Sequence, residues 1–263
     1  AFVWNNSGIY QTSCDSQSQD CTDFVSESIE SQGDILAVAN LDVELGSTQI
    51  QPYFLHLNQN PDEGNLQRKR RVYSPGIRLA GTNGAVFYDL EGTMQFGQES
   101  EEREHFAWMG AAKLGANING TKIALYYEEN SGDGADNDGV DNDLEPFIGR
   151  FHGHRGWADQ IGNINSRDIS LQLSTPVNEE LTALMQAHQF QMPDPTGSLY
   201  AFNTVYIATA DPGNTEANLG KELDLLLMYK PTKGVNFRLG HSLFVPEGEK
   251  KRLDKAENTN FTY

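Results

Sequence analysis

Gly220-Lys-Glu-Leu-Asp-Leu-Leu-Leu-Met-Tyr-Lys-Pro-Thr-Lys-Gly-Val-Asn-Phe-Arg-Leu-Gly-His-Ser-Leu-Phe-Val245 is the stretch of sequence that decides the fold. Before the Pro231–Gly234 turn, bulky apolar side chains recur at every second position from Leu223 to Tyr229, and the alternation resumes at Val235. Because successive side chains of a strand point to opposite faces, a period of two predicts β-strands. Two such runs around a tight turn predict an antiparallel hairpin.

The same alternation recurs along the chain in about 12 predicted strands, joined at one end by short turns and at the other by long loops. The predicted short turns are 81–84, 119–120, 175–178 and 231–234, and the predicted long loops are 11–33, 58–71, 98–104, 129–165, 191–198, 209–219 and 246–257. This asymmetry is typical of outer-membrane β-barrels, whereas a soluble sandwich usually has less of it.

Two local assignments complete the predicted sheet. In 49–57, Tyr53, Leu55 and Leu57 are assigned to the apolar face, opposite Phe54 and His56. The run 199–208 is predicted as one further strand of the sheet. The segment 179–189 fits a helix or a strand, and strand spacing describes it equally well.

The composition excludes several classes of protein. The chain has 263 residues and a formal net charge of −18, with 38% hydrophobic residues. No stretch approaches the roughly 20 apolar residues that a membrane helix needs, so an α-helical membrane protein is excluded. The excess of acid argues against nucleic acid as a partner, because nucleic-acid binders present basic surfaces.

Nearly all mid-strand charges lie on the face opposite the apolar one. They are predicted to line a pore: Asp42, Glu44, Arg78, Asp89, Glu91, Lys113, Lys122, Asp168, Glu222, Asp224 and Arg238. Unpaired charge is costly in a dry core, so one polar face in strand after strand suits a water-filled lumen. The alternative is a one-sided antiparallel sheet with its polar face in bulk water.

Cys14 and Cys21 are the two cysteines of the chain and lie in one polar loop. An isolated pair in such a loop predicts a disulfide and an oxidising compartment, with two free thiols as the alternative. The first residues lack the charged segment with which a signal peptide begins, so position 1 is interpreted as a mature or trimmed end.

The loop that begins near residue 129 carries a run of acids. Asp136, Asp138, Asp141 and Asp143 present carboxylates at short spacing around Gly139, a pattern that Ca²⁺ coordination favours. The alternative is a solvated acidic loop. The sequence predicts no required cofactor, and no nucleophile motif is present, so it predicts no enzyme.

Three stretches together resemble the alginate-export family of outer-membrane β-barrels. The start Ala1-Phe-Val-Trp-Asn-Asn-Ser-Gly is similar to a strand of that family, and 151–164 is similar to its Gly-x-x-His loop with the following aromatic-x-Asp and Asn-Ile. Leu219-Gly-Lys-Glu-Leu-Asp224, Gly240–Phe244 and Thr259–Tyr263 are similar to its final strands.

The resemblance implies a single barrel domain over 1–263, incomplete at both ends, in a bacterial outer membrane and in contact with lipid and lipopolysaccharide. It implies a porin-like channel for passive, selective diffusion or export of small polar solutes or saccharides. The loop 129–165 is predicted to form a constriction that includes His152, His154, Arg155 and Asp159. The alternative function is a secreted or surface β-sandwich that binds carbohydrate or calcium.

The charges of the predicted lumen differ from those of one family member. The family's alginate exporter has an arginine-rich lumen for a polyanion. The inward faces predicted here combine Arg78, Lys113, Lys122 and Arg238 with at least as many acids.

Overall fold

A computed structural model shows one large, antiparallel sheet built from the predicted strands. It describes residues 2–5, 35–59, 70–100, 102–136, 138–146, 155–201, 206–253 and 257–263. The elements are β1 (Phe2–Asn5), β2 (Ile35–Asn40), β3 (Val43–Leu45), β4 (Thr48–Gln59), β5 (Arg70–Asn83), β6 (Val86–Gln98), β7 (Glu104–Ile118), β8 (Thr121–Asn130), β9 (Val140–Asp141), β10 (Ser166–Pro176), β11 (Leu181–Gln191), β12 (Leu199–Tyr200), β13 (Tyr206–Ala208), β14 (Asn218–Thr232), β15 (Val235–Pro246), α1 (Gly248–Leu253) and β16 (Thr259–Thr262).

Neighbouring strands of the sheet follow one another along the chain. The order is β1-β2-β4-β5-β6-β7-β8-β10-β11-β14-β15-β16, with β3 paired to β4 and β9 paired to β7. The β7–β9 pair is parallel. The predicted class, an all-β antiparallel sheet of the barrel type, is confirmed, and 179–189 lies within a strand and its preceding turn. Among the described residues, no helix has the length and apolar character needed to span a bilayer.

The turns join strands in the predicted places, with small shifts. Asn119 and Gly120 have φ angles of 52° and 88°, which is the left-handed pair that a two-residue hairpin turn requires. The pairing of β7 with β8 continues right up to this turn, with Ile118 opposite Thr121. This turn fixes which side chains of β7 and β8 share a face. A shift of one residue in the pairing would turn the side chains of a strand to the opposite face of the sheet.

The outer face of the sheet is apolar. Leu225 and Leu227 in the middle of β14 are 48% and 44% exposed, and Leu90, Leu114, Leu125 and Leu171 on other strands are exposed in the same way. Aromatic rings flank this band at both ends. The ring centres of Tyr73 and Phe96 lie 5.8 Å apart at the loop end, and those of Tyr229 and Phe237 lie 6.3 Å apart at the turn end. Aromatic rows on either side of an apolar band are what a bilayer-facing surface requires.

The inner face is polar and largely buried. Glu222 and Asp224, which alternate with the exposed leucines of β14, are only 3% and 1% exposed. Ser242 on β15 and Gln186 on β11 face the same side and are also buried. The distribution of side chains is therefore the reverse of that in a water-soluble β-protein. Polar side chains are buried on the inner face, and large apolar side chains cover the outer face.

The face assignment of β4 was wrong. Tyr53 donates its hydroxyl to Glu91 over 2.8 Å and therefore faces inward, while Phe54 lies beside Tyr73 on the outer face. The ring of Tyr53 covers Gly76, where a Cβ would come within 2.2 Å of it. A tyrosine suits the inner face because its hydroxyl finds a carboxylate there and its ring fills the space above a glycine.

The prediction of a further sheet strand over 199–208 was also wrong. β12 and β13 pair only with each other, Leu199 opposite Ala208, in a separate two-stranded sheet. Both sides of β11 are already occupied, by β10 and β14, so the large sheet offers this run no free edge there. Leu199 instead packs with Phe190, Met192 and Leu219 in a small apolar core at the loop end.

A charged side chain introduced into the middle of the outer face tests the orientation of the strands. Leu225→Arg is expected to destabilise the folded protein in lipid vesicles by about 2–4 kcal/mol, because arginine near the bilayer midplane has that cost. Val235→Arg, at the turn end of the next strand, is the matched control and is expected to cost about 0–1 kcal/mol. Urea unfolding in vesicles measures both, and equal effects would contradict the lipid-facing assignment.

Candidate functional site

The segment Arg155–Asn165, called the inner loop below, lies against the inner face of the sheet. Arg155 is 4% exposed. Its Nε and Nη2 donate to Glu128 Oε1 on β8 over 2.8 and 2.6 Å. Its Nη1 donates to the carbonyl of Gly162 over 2.7 Å and to the hydroxyl of Ser166. Arg155 therefore ties the loop both to itself and to the wall, with its charge compensated by Glu128.

Glu222 on β14 holds the other side of the inner loop. Its Oε1 accepts the backbone N–H groups of Trp157 and Ala158 over 2.6 and 2.8 Å. Trp157 also donates its indole N–H to Gln186 over 3.0 Å and stacks on Tyr263 at 5.3 Å. The loop thus contacts several strands, from β8 to β14, and the residue after β16.

Gly156 makes this approach possible. Its φ of +77° lies in the left-handed region, and a Cβ at this position would come within 2.4 Å of Glu222 Oε1. Glycine is the residue that meets both conditions without strain. The sequence from Arg155 to Ala158 therefore places an arginine against β8 and two backbone N–H donors against β14.

Asn165 fastens the end of the inner loop to the neighbouring loop. Its side-chain amide donates to the carbonyl of Asp194 over 2.8 Å, and its Oδ1 accepts the N–H of Asp194 over 3.0 Å. Ala158 and Ile161 of the inner loop join Phe190 and Phe244 in the apolar core at the loop end. The inner loop is consequently held by polar contacts at both ends and by apolar packing between them.

A buried row of polar side chains lies beneath the loop. His188 Nδ1 is 2.9 Å from Asp168 Oδ2, and its Nε2 is 3.5 Å from Asp224 Oδ2. These three side chains join the inner faces of β10, β11 and β14. They stiffen this side of the wall, because a buried polar network fixes the positions of its members.

An open cavity remains on the other side of the inner loop. It measures about 410 Å³. Six charged side chains line it, three basic and three acidic: Arg78, Lys113, Arg155, Asp89, Glu91 and Glu128. Arg78 forms a bidentate pair with Asp89 at 2.7 and 2.5 Å and donates to Gln51 over 2.7 Å. The cavity therefore has a mixed and balanced set of charges.

A second cavity of about 280 Å³ shares Glu91, Met109, Glu128 and Asn163 with the first. Leu144, Glu145 and Pro146, at the end of the acidic loop, form part of its wall. The acidic loop and the inner loop thus both shape the space inside the sheet. This space is the candidate functional site.

The structure places the predicted pore-lining residues on one face of the sheet. Arg78, Asp89, Glu91 and Lys113 line the cavity. Asp168, Glu222 and Asp224 lie buried beneath the inner loop. Asp42, Glu44, Lys122 and Arg238 lie toward the turn end and are exposed.

The predicted constriction lies only partly within the described residues. Arg155 and Asp159 belong to the inner loop, where Asp159 has a left-handed φ of 55°. His152 and His154 lie outside the described residues, as do Cys14, Cys21 and their predicted disulfide.

The four aspartates predicted to bind calcium have different surroundings. Asp136 and Asp138 are exposed. Asp143 accepts the N–H of Asp133 over 2.8 Å and the hydroxyl of Tyr200 over 2.6 Å, and burial raises its pKa to about 6. Burial, followed by the nearby charge of Glu99, raises the pKa of Asp141. Calcium binding here stays a prediction.

Sequence reasoning missed several residues of the wall. Glu128, Gln186 and His188 hold the loop or the buried row and were not among the predicted site residues. Glu128 follows Lys122, Ala124 and Tyr126 at every second position of β8, so the period of the strand could have found it. No local signal indicates that Glu128 meets Arg155.

Comparisons with known proteins agree with this architecture. The family model described as alginate export matches residues 37–261. No curated protein matches the chain. The matched range covers the sheet from β2 to β16 and includes the inner loop.

The anchoring of the inner loop can be tested at Glu222. Glu222→Ala removes the acceptor of two backbone N–H groups, and two ordinary hydrogen bonds together contribute about 1–3 kcal/mol. Hydrogen exchange at Trp157 and Ala158 is expected to accelerate at least about tenfold, since 1.4 kcal/mol corresponds to a factor of ten. Lys221→Ala, the next residue on β14, is the control, because Lys221 faces outward toward Glu247. Unchanged exchange in Glu222→Ala would contradict the anchoring role.

Proposed function

The chain belongs to the alginate export family, and on that premise we propose that it forms a porin-like channel for small polar solutes or saccharides in the outer membrane of a Gram-negative bacterium. Family membership suggests an outer-membrane protein with a role in transport. The observation that carries the finer proposal is the cavity of about 410 Å³ between the charged wall and the inner loop. Passage is passive in this proposal and needs no cofactor and no covalent chemistry.

The balance of charges in the cavity supports a polar rather than a strongly charged solute. Three bases face three acids, and Arg78 is already neutralised by Asp89 at 2.5 Å. A lumen that accepts a polyanion needs an excess of positive charge, because the field of its wall must favour one sign. Hydroxyl-rich solutes find both donors and acceptors here, together with the Tyr126 side chain.

The inner loop supports selection by size. It is held to β8 through Glu128 and to β14 through Glu222, so it narrows the lumen from one side. A fixed loop sets a constant opening, whereas a loose loop would admit solutes of varying width. We assign selectivity to the cavity side of this loop, where Arg155 and Asn163 face the strands.

The outer face supports a lipid partner. Its apolar band and flanking aromatic rows match a bilayer with its two interfaces, and the loop-end row, with Tyr73 and Phe96, suits the lipopolysaccharide side. A secreted β-sandwich that binds carbohydrate or calcium is the less favoured function. A sandwich covers its apolar face with a second sheet, and none covers this one in the part of the chain that the structure describes.

A charge reversal in the cavity tests the proposal directly. Lys113→Glu changes the six cavity charges from three of each sign to two basic and four acidic. In planar bilayers under a salt gradient, the cation-to-anion permeability ratio of the full-length protein is expected to rise at least about twofold, because the balanced field in the narrowed lumen becomes net negative. The reversal potential measures this ratio.

Lys233→Glu is the matched control, because it makes the same change in net charge at an exposed turn. It is expected to leave the ratio near that of the wild type. Equal shifts in the two variants would place selectivity outside the cavity. A wild-type protein that is folded in the bilayer but does not conduct would overturn the channel proposal.

A further inference from the structure

A buried cluster of metal-ligand side chains lies at the loop end, away from the inner loop. It consists of Glu99 after β6, His105 on β7 and Asp141 on β9. One donor atom from each side chain lies within 4.8 Å of the others, and all three residues are buried. The parallel pairing of β9 with β7 places Asp141 opposite His105.

The hydrogen bonds of Gln95 determine how His105 presents its ring. Gln95 Nε2 donates to the carbonyl of Glu145, and Gln95 Oε1 accepts the N–H of Glu145, each over 2.8 Å. The amide oxygen therefore also faces His105 Nε2, at 3.3 Å. Because an amide oxygen only accepts, Nε2 carries the proton of the neutral ring, and Nδ1 presents a lone pair.

The lone pair of His105 points into the cluster without a hydrogen-bond partner. The His105 side chain is fully buried, and its Nδ1 is 4.0 Å from Asp141 Oδ2. Among the described residues, no donor bonds to this Nδ1. A buried lone pair that faces a carboxylate is unfavourable unless a proton or a metal cation lies between them, because two acceptors repel each other.

Among the described residues, the carboxylates around the cluster outnumber the guanidinium groups. Arg70 pairs with Glu99 at 2.6 Å and also with Glu145. Arg103 pairs with Asp133. The two guanidinium groups are therefore engaged by three carboxylates before Asp141 is included. A divalent cation at Asp141 would compensate the remaining negative charge.

We propose that Glu99, His105 and Asp141 bind a divalent transition-metal ion, with Zn²⁺ as the preferred one. One imidazole nitrogen with two carboxylates is a ligand set that zinc accepts, whereas Ca²⁺ takes oxygen ligands alone. A histidine that binds a metal through one ring nitrogen usually donates its other ring N–H to a nearby acceptor, as His105 Nε2 does to Gln95. When zinc–ligand bonds are about 2.0–2.2 Å long, the ligand atoms of a tetrahedral site lie roughly 3.3 Å from one another. The distance between His105 Nδ1 and Asp141 Oδ2, now 4.0 Å, would therefore shorten by less than an ångström on binding.

A metal here would fasten the acidic loop to the wall. β9 pairs with β7 through only two residue pairs, Glu104 with Val140 and His105 with Asp141. The same loop continues to Leu144 and Pro146, which line the second cavity. The ion would therefore hold one wall of that cavity in place, whatever solute passes through it.

Cobalt and zinc titrations test the site. The full-length protein, stripped with a chelator and held in detergent micelles, is titrated with Co²⁺, whose visible absorption reports its ligands, and then with Zn²⁺ in competition. One ion per chain is expected, displaced by Zn²⁺ but not by Ca²⁺. Asp141→Asn and His105→Gln are each expected to weaken binding at least about tenfold, since even outer contacts of a metal site change affinity 10–100-fold.

Two variants serve as controls. Asp138→Asn removes the same charge from an exposed position of the same loop, and His56→Gln removes a histidine on the outer face that stacks on Tyr73. Both are expected to bind as the wild type does. Wild-type protein without a Co²⁺ spectrum, or Asp141→Asn with unchanged affinity, would overturn the proposal. Asp141→Asn still tests the proposal if His105→Gln does not fold. Asp141 lies on the short strand β9, which is outside the series of strands that forms the main sheet.

Discussion

The carboxylate of Glu222 is the contact on which the arrangement inside the sheet depends. It accepts two consecutive backbone N–H groups, from Trp157 and Ala158, and so fixes the path of the inner loop. Both N–H groups of the loop thereby find a buried acceptor, which they would otherwise lack inside the sheet. With the loop fixed there, Arg155 reaches Glu128 on β8, and an open cavity remains beside the loop.

The alternation of each strand explains why such contacts lie inside. Leucine, isoleucine and aromatic side chains cover the outer face, so charged side chains at the intervening positions must face inward. Polar partners meet across neighbouring strands, as Arg78 with Asp89 and His188 with Asp168, or across one intervening strand, as Tyr53 with Glu91. The interior is thus stabilised by paired polar groups, whose net contribution depends on each having a partner.

The sequence predicted the strands and most of their faces because that information is local. A period of two, the Asn119-Gly120 turn and the unequal lengths of turns and loops are each visible within a few residues. Two local assignments were wrong for identifiable reasons. Tyr53 is amphipathic, so its side chain satisfies an inner face as well as an outer one. The run 199–208 has strand-like spacing, but spacing does not reveal whether a sheet edge is available for pairing.

The candidate site was predicted only in part because its contacts are remote in sequence. Trp157 and Glu222 are 65 positions apart, and Arg155 and Glu128 are 27 apart. A strand period identifies which residues face inward, and it therefore identified Glu222 and Arg78. It does not say which loop folds back onto them, because that depends on a left-handed Gly156 and on its close approach to Glu222. The loop's position depends on simultaneous contacts with β8, β11 and β14, and those contacts arise only once these strands are in register.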